Sequence, residues 1–193
     1  MTTIFENNED IRVEHCSASR REIQNILDDC REERRPYIVL TDKMLSNTPS
    51  RILVPVTMLE EEVYKSEICT YIARKTGAHI ILLRANDYGS KAKTNTQKII
   101  AHIQTIAERT GLPLSYEERT AKGDSFSMHK ELHRYCEQLS NQQETIDLII
   151  LTASREYGLD DWLFGPPEQF VIRHSQVPVM LVNPRADLFS LCD

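Results

Sequence analysis

Between Thr152 and Val182 the chain reads TASREYGLDDWLFGPPEQFVIRHSQVPVMLV. An apolar run, Asp147 to Leu151, opens into a loop carrying Gly158 and Gly165; a short amphipathic helix and a second apolar run, Pro178 to Val182, follow. A strand, a glycine-bearing loop and a helix N-terminus in that order can hold a phosphate, because backbone N–H groups and the helix dipole point at the anion. The particular residues resist that chemistry. Asp160 and Asp161 repel a polyphosphate, and Pro166 and Pro167 remove two N–H donors, although proline suits a first helical turn. Trp162 and Phe164 could line a pocket for a planar base, or anchor the loop to the core or to a partner. A second constellation, His129, His133 and Cys136, falls at i, i+4 and i+7 of one predicted helix. Two imidazoles and a thiolate at that spacing can chelate a transition metal. Without H-E-x-x-H or a C-x-x-C partner the same spacing is the ordinary content of a half-exposed helix, and no metal site is assigned. His174 reads as a helix C-terminal residue favoured by the dipole.

The elements that must position these residues alternate. Ile52 to Val56 is a short apolar run of the buried parallel-strand kind. Glu60 to Thr76 is predicted as a helix with Val63, Ile68, Ile72 and Ala73 on one stripe and Gly77 as its stop. Ala78 to Leu83 is the next strand, Thr94 to Thr110 the next helix, and Leu114 to Glu118 a third strand. After the Lys122–Asp124 loop, Ser127 is placed as N-cap of a helix reaching Leu139. The Asp147–Leu151 strand, the Pro167–Ser175 helix and a fifth strand complete the set. Strands separated by full helices imply parallel β-α-β units, hence a three-layer, doubly wound α/β domain with a five-stranded, mainly parallel sheet. Domain organisation follows: an N-terminal segment 1–50, a domain 51–185 and a tail 186–193. The N-terminal segment holds a short strand (Arg12 to Cys16), a helix (Glu22 to Glu33) and a strand (Tyr37 to Thr41), then a linker with Asn47 and Pro49. Its order resembles Leu114 to Thr152, and YIVLT is close to LIILT. Two readings stand: a partial internal repeat, or an unrelated extension packed on the sheet.

With 193 residues, a charged fraction of 27% and a hydrophobic fraction of 40%, the chain has the composition of a soluble globular domain. A net charge of −6 argues against a nucleic-acid footprint, and the basic run Arg31 to Arg35 is interleaved with Glu32 and Glu33. No apolar run approaches the roughly 20 residues of a membrane span, so no membrane insertion is expected. The polar N-terminus is unlike a signal peptide, and five scattered cysteines without C-x-x-C point to reduced thiols and a cytoplasmic setting. G-x-x-x-x-G-K-(S/T), G-x-G-x-x-G, H-x-G-H, S-G-G and G-x-S-x-G are all absent, and no catalytic residue is assigned.

Arg51 to Pro184 resembles a universal stress protein (UspA-like) domain. RILVPV matches the family's first strand, and Ile72 to Leu83 its helix-to-strand passage. Lys122-Gly-Asp124 falls at a family glycine, while Asp147–Leu151 and Val177–Val182 match the last two strands. The resemblance implies an adenine nucleotide α-hydrolase-like fold and a bacterial, cytoplasmic, non-catalytic stress-response protein. It further implies a homodimer, with the strand Val179–Val182 pairing across a two-fold axis. The family's ATP binders resemble G-x-x-G, nine residues, then G-(S/T), with an acidic residue after the first strand. On this chain the first two glycines fall on Ala153 and Glu156, the gap to Gly165 is eight residues, Pro166 follows, and the acidic position is Thr57. Glu156 lacks glycine's freedom and adds negative charge. The candidate nucleotide contacts are therefore Thr57, Ala153, Ser154, Arg155, Gly158 and Gly165, a degenerate loop expected not to hold ATP in the family's manner. Two alternatives stand beside it: an ATP- or AMP-binding protein with a rearranged loop, and a regulatory domain related to a transporter or kinase.

Overall fold

The computed structural model describes residues 5, 9–33, 35–44, 48–153 and 166–183. The elements in chain order are β1 (Arg12–Cys16), α1 (Arg20–Glu32), β2 (Tyr37–Thr41), β3 (Arg51–Val56), a 3-10 turn (Glu60–Tyr64) and α2 (Lys65–Thr76). They continue with β4 (His79–Arg84), α3 (Lys91–Thr110), β5 (Tyr116–Thr120), α4 (Met128–Asn141), β6 (Leu148–Thr152), α5 (Pro167–His174) and β7 (Val179–Val182). The fold is a doubly wound α/β domain whose single described sheet has the order β1-β2-β7-β6-β3-β4-β5. Every neighbouring pair is parallel except β2 with β7.

The sheet has seven strands where five were expected. The two additional strands are β1 and β2, which continue it beyond β7. Their apolar content needed a partner on both faces, and Tyr37, Ile38, Val39 and Leu40 are all buried. Alternate residues of each strand feed opposite layers. Tyr37, Val39, Leu53, Ile149, Leu151, Val179 and Leu181 pack under α1, α4 and α5. Ile38, Leu40, Ile52, Val54, Leu148, Ile150 and Met180 pack under α2 and α3. Each such side chain contributes about 1.5–3 kcal/mol when fully buried.

Other differences are local. Glu60 to Thr76 is not one helix: Glu60–Tyr64 winds as a 3-10 turn before α2, because Glu62 is drawn inward to Lys65. Gly77 ends α2 at φ 74, its N–H bonding the Ala73 carbonyl at 2.8 Å, as its stop signal predicts. Ser127 does precede α4, but its hydroxyl bonds Asp124 Oδ1 at 2.8 Å and makes no side-chain cap. The segment order also differs from the repeat suggested by YIVLT and LIILT. β1 and β2 are sheet neighbours, whereas β5 and β6 are separated by β4 and β3. Finally, β7 does not offer its outer edge to a second subunit: Tyr37, Ile38 and Val39 of the same chain pair antiparallel with Leu181, Met180 and Val179. That edge, expected to form a dimer seam, is already hydrogen-bonded.

Candidate functional site

Strand order reverses at β3: β4 and β5 lie on one side of it, β6 and β7 on the other. Ligands of open α/β sheets sit at the carboxyl ends of the strands at such a point. Here β3 and β6 pair only through Ile52–Leu148 and Leu53–Ile149. The Arg51 carbonyl accepts from Asp147 on the β6 side and the Val56 carbonyl from Ala85 on the β4 side, so alternation turns Pro55 toward β6. Proline has no N–H to extend the ladder there. The strands part above Leu53, and a cleft of about 660 Å³ opens between Thr57, Leu59, Ser125, Phe126, Thr152 and Glu168.

Three loops are sewn together at its rim. The Asn95 side chain donates to the carbonyls of Thr57 (3.0 Å) and Leu59 (2.7 Å). Met58 N–H donates to Ser125 Oγ at 2.9 Å, and the Ser125 hydroxyl and N–H both donate to Asp87. Asn86 N–H reaches the Gly123 carbonyl, and a Cβ on Gly123 would stand 2.4 Å from Ser127 Oγ. Leu59 and Phe126 remain exposed at the mouth.

Lys65, 1% exposed, sits in the cleft wall with its ammonium on Glu62 and on the Pro55 carbonyl. Glu62 Oε1 also accepts from the Thr57 hydroxyl at 2.9 Å. A carboxylate therefore reaches the position after the first strand from five residues downstream, where Thr57 itself is not acidic. Glu61 and the buried Glu168, in the first turn of α5, add further acidity. The Thr152 hydroxyl is buried and has no hydrogen-bond partner among the described residues.

Among the residues named from sequence, Thr57 and Ala153 both line this cleft. Ala153 N–H is used by the Val182 carbonyl at 2.9 Å. Ser154, Arg155, Gly158 and Gly165 lie outside the described residues, as do Asp160, Asp161, Trp162 and Phe164. Glu62, Lys65, Asn95, Ser125, Thr152 and Glu168 carried no motif. Only their convergence from separate segments marks them.

His129, His133 and Cys136 share one face of α4 and line a second cavity, of about 630 Å³, between α4, β6 and α5. His129 and His133 meet the Phe170 ring edge-on at 5.1 and 6.3 Å, and His174 stacks on it at 4.2 Å. Burial pushes the Cys136 thiol up to about 12, with Glu137 adding to it, which disfavours a thiolate ligand. Among the described residues no three His, Cys, Asp or Glu side chains are grouped to hold a metal ion. His174 lies at the end of α5 as expected, its Nδ1 2.8 Å from the Phe170 carbonyl.

The sequence profile described as the universal stress protein family matches residues 49–183, well over half of the chain. The chain belongs to the universal stress protein family. No curated protein sequence matches it. Its fold is similar to that of a universal stress protein from Archaeoglobus fulgidus at 16% identity and a TM-score of 0.60, over 94% of this chain and 63% of that one. It is likewise similar to a functionally unknown protein from Pseudomonas aeruginosa PAO1, at 16% identity and a TM-score of 0.53, over 93% of this chain and 64% of that one. A third solved structure, a universal stress protein in complex with cAMP, matches at 14% identity and a TM-score of 0.54, over 72% of this chain and 100% of that one. The chain thus spans less than two thirds of the length of the first two, and at these identities the likeness is one of fold. Among the described residues of this universal stress protein no helix is long and apolar enough to cross a membrane.

Proposed function

We propose that this universal stress protein acts by binding and not by turnover, as a stress-response or regulatory protein of a reducing cytoplasm, and that its cleft does not hold ATP in the manner of the family's nucleotide binders. The observation carrying this reading is the electrostatics of the cleft wall. Among its described residues the cleft is lined by Glu61, Glu62 and Glu168 and by one ammonium, Lys65, which is bound by Glu62. A triphosphate would add several negative charges to a wall with no free cation among the described residues. Four free thiols, Cys16, Cys30, Cys69 and Cys136, support the reducing setting. Thermal unfolding with millimolar ATP and Mg²⁺ tests it, and no shift is expected. A ligand present at about 100 times its dissociation constant adds about 2.7 kcal/mol, so a saturable rise in Tm of that size would overturn the proposal.

The Thr152 hydroxyl, without a hydrogen-bond partner among the described residues, favours a second reading. A buried donor without a partner costs about 1–3 kcal/mol, which a bound polar group would recover. A nucleotide with one phosphate, such as AMP or the cAMP carried by the structural neighbour, suits this cleft better than ATP. Titration calorimetry with AMP, cAMP and adenosine separates the cases. Binding of AMP or cAMP that weakens in Thr152→Val supports the second reading, and no heat from any of the three removes it.

A further inference from the structure

The β2–β7 junction is the centre of a local two-fold arrangement. Reading outward, β7 is followed by β6 and β2 by β1; each outer strand is parallel to its inner neighbour, while the two inner strands are antiparallel. Among the described residues one helix lies between the strands of each pair, α1 or α5, and both helices lie on the same face of the sheet. The two helices are in contact, α1 reaches over to β7 and α5 over to β2. The Gln169 side chain in α5 donates to the Arg20 carbonyl at the start of α1. Asn183, just past β7, donates from its side chain to the carbonyls of Cys30, Arg31 and Glu33 at the end of α1. A rotation that carries β6-α5-β7 onto β1-α1-β2 is what a symmetric contact between two subunits would require. The contact here lies within one chain.

The outer surfaces of β1-α1-β2 are finished as protein surface, not as an open core. α1 is apolar only on Ile23, Ile26, Leu27 and Cys30, and Arg21, Glu22, Asn25, Asp28 and Asp29 are exposed. On β1, Arg12 is held by Glu14 (2.5 Å), Glu33 (2.6 Å) and the Tyr37 hydroxyl (2.9 Å). Charges along a terminal strand keep it from recruiting another.

We propose that β1-α1-β2 stands in for a neighbouring subunit at the β7 edge: the partner that this strand pairs with is the chain's own N-terminal unit, and the protein is a monomer closed on itself. Pairing within a chain does not depend on concentration, whereas pairing between chains does. Sedimentation of the 193-residue chain is expected to give the mass of one chain at every concentration. Hydrogen exchange at Val179 to Val182 is expected to be equally slow in dilute and concentrated samples. A dimer, or β7 protection that grows with concentration, overturns the proposal. A second arm uses Leu27→Ala with Asn183→Ala, which loosens α1 from β7. Dimers that appear in this variant as β2 protection falls support the substitution, and protection that stays concentration-independent supports closure within the chain. A variant whose β2 and β7 amides both exchange fast while its mass stays that of one chain shows that the bared edge recruits no copy, and refutes it. If the variant does not fold, the measurements on the unsubstituted chain decide.

Discussion

The Lys65 ammonium and the Glu62 carboxylate neutralise each other out of reach of water. Removing one member of a buried pair leaves an uncompensated charge, at a cost of about 3–5 kcal/mol, whereas replacing both by apolar groups is often neutral. Lys65→Met is therefore expected to lower urea stability by about that amount, and Lys65→Met with Glu62→Leu to recover most of it. A Lys65→Met variant as stable as the parent would show that the pair is not sealed. At His129, burial lowers the imidazole pKa below 6.5, the Lys130 charge lowers it further, and the Phe126 backbone opposes them. The folded state thus prefers the neutral ring, and the unfolded chain takes the proton first as pH falls. His129 contributes fully above 6.5 and loses that contribution as pH drops toward its folded value. His102, also lowered by burial, has the same sign. Tm is expected to fall on acidification through this window, with a shallower slope in His129→Gln; equal slopes would remove His129 from the account. Thr57 was legible because it follows a recognisable strand. Glu62 was not, because three consecutive glutamates give no sign of which one turns inward.

Helices announced themselves through stripes and stops, and Gly77 and Gly111 both end theirs in the left-handed region. A Cβ at Gly77 meets nothing within 4 Å, so Gly77→Ala tests conformation alone. About 1 kcal/mol of destabilisation is expected in chemical denaturation, and no loss would mean that the turn relaxes. Asn183 acts on a helix far from it in sequence, bonding three carbonyls at the end of α1. Asn183→Ala should cost about 2 kcal/mol and speed exchange in the last turn of α1 before any other helix. Unchanged exchange there would relocate the role of Asn183. No local pattern reveals such a contact, and a period of 3.6 cannot separate the 3-10 turn at Glu60–Tyr64 from the helix that follows.

At the scale of the molecule, the apolar runs defined strands but not their neighbours. YIVLT and LIILT are alike because both are buried on two faces, and that likeness carries no information on sheet position. Sheet order arises from long-range pairing, and the antiparallel β2–β7 contact joins residues far apart in the chain. Because this seam lies inside a continuous sheet, heat unfolding is expected to be one transition, with far-UV and near-UV signals coinciding. An earlier separate loss at β1-α1-β2 would instead mark that unit as an independent layer.

Three thiols lie on three different helices: Cys30 on α1, Cys69 on α2 and Cys136 on α4. Burial pushes each of them up to about 12. At neutral pH all three are protonated; Cys30 and Cys69 are also fully buried, so an alkylating reagent reaches those two only when a helix lifts away, whereas Cys136 lines the cavity beside α4. The protein thus carries a stopwatch on each of two helices, α1 and α2, and mass spectrometry of the labelled peptides reads them separately. A Cys30 that is alkylated well before Cys69 would time the departure of α1 from β7 without any substitution.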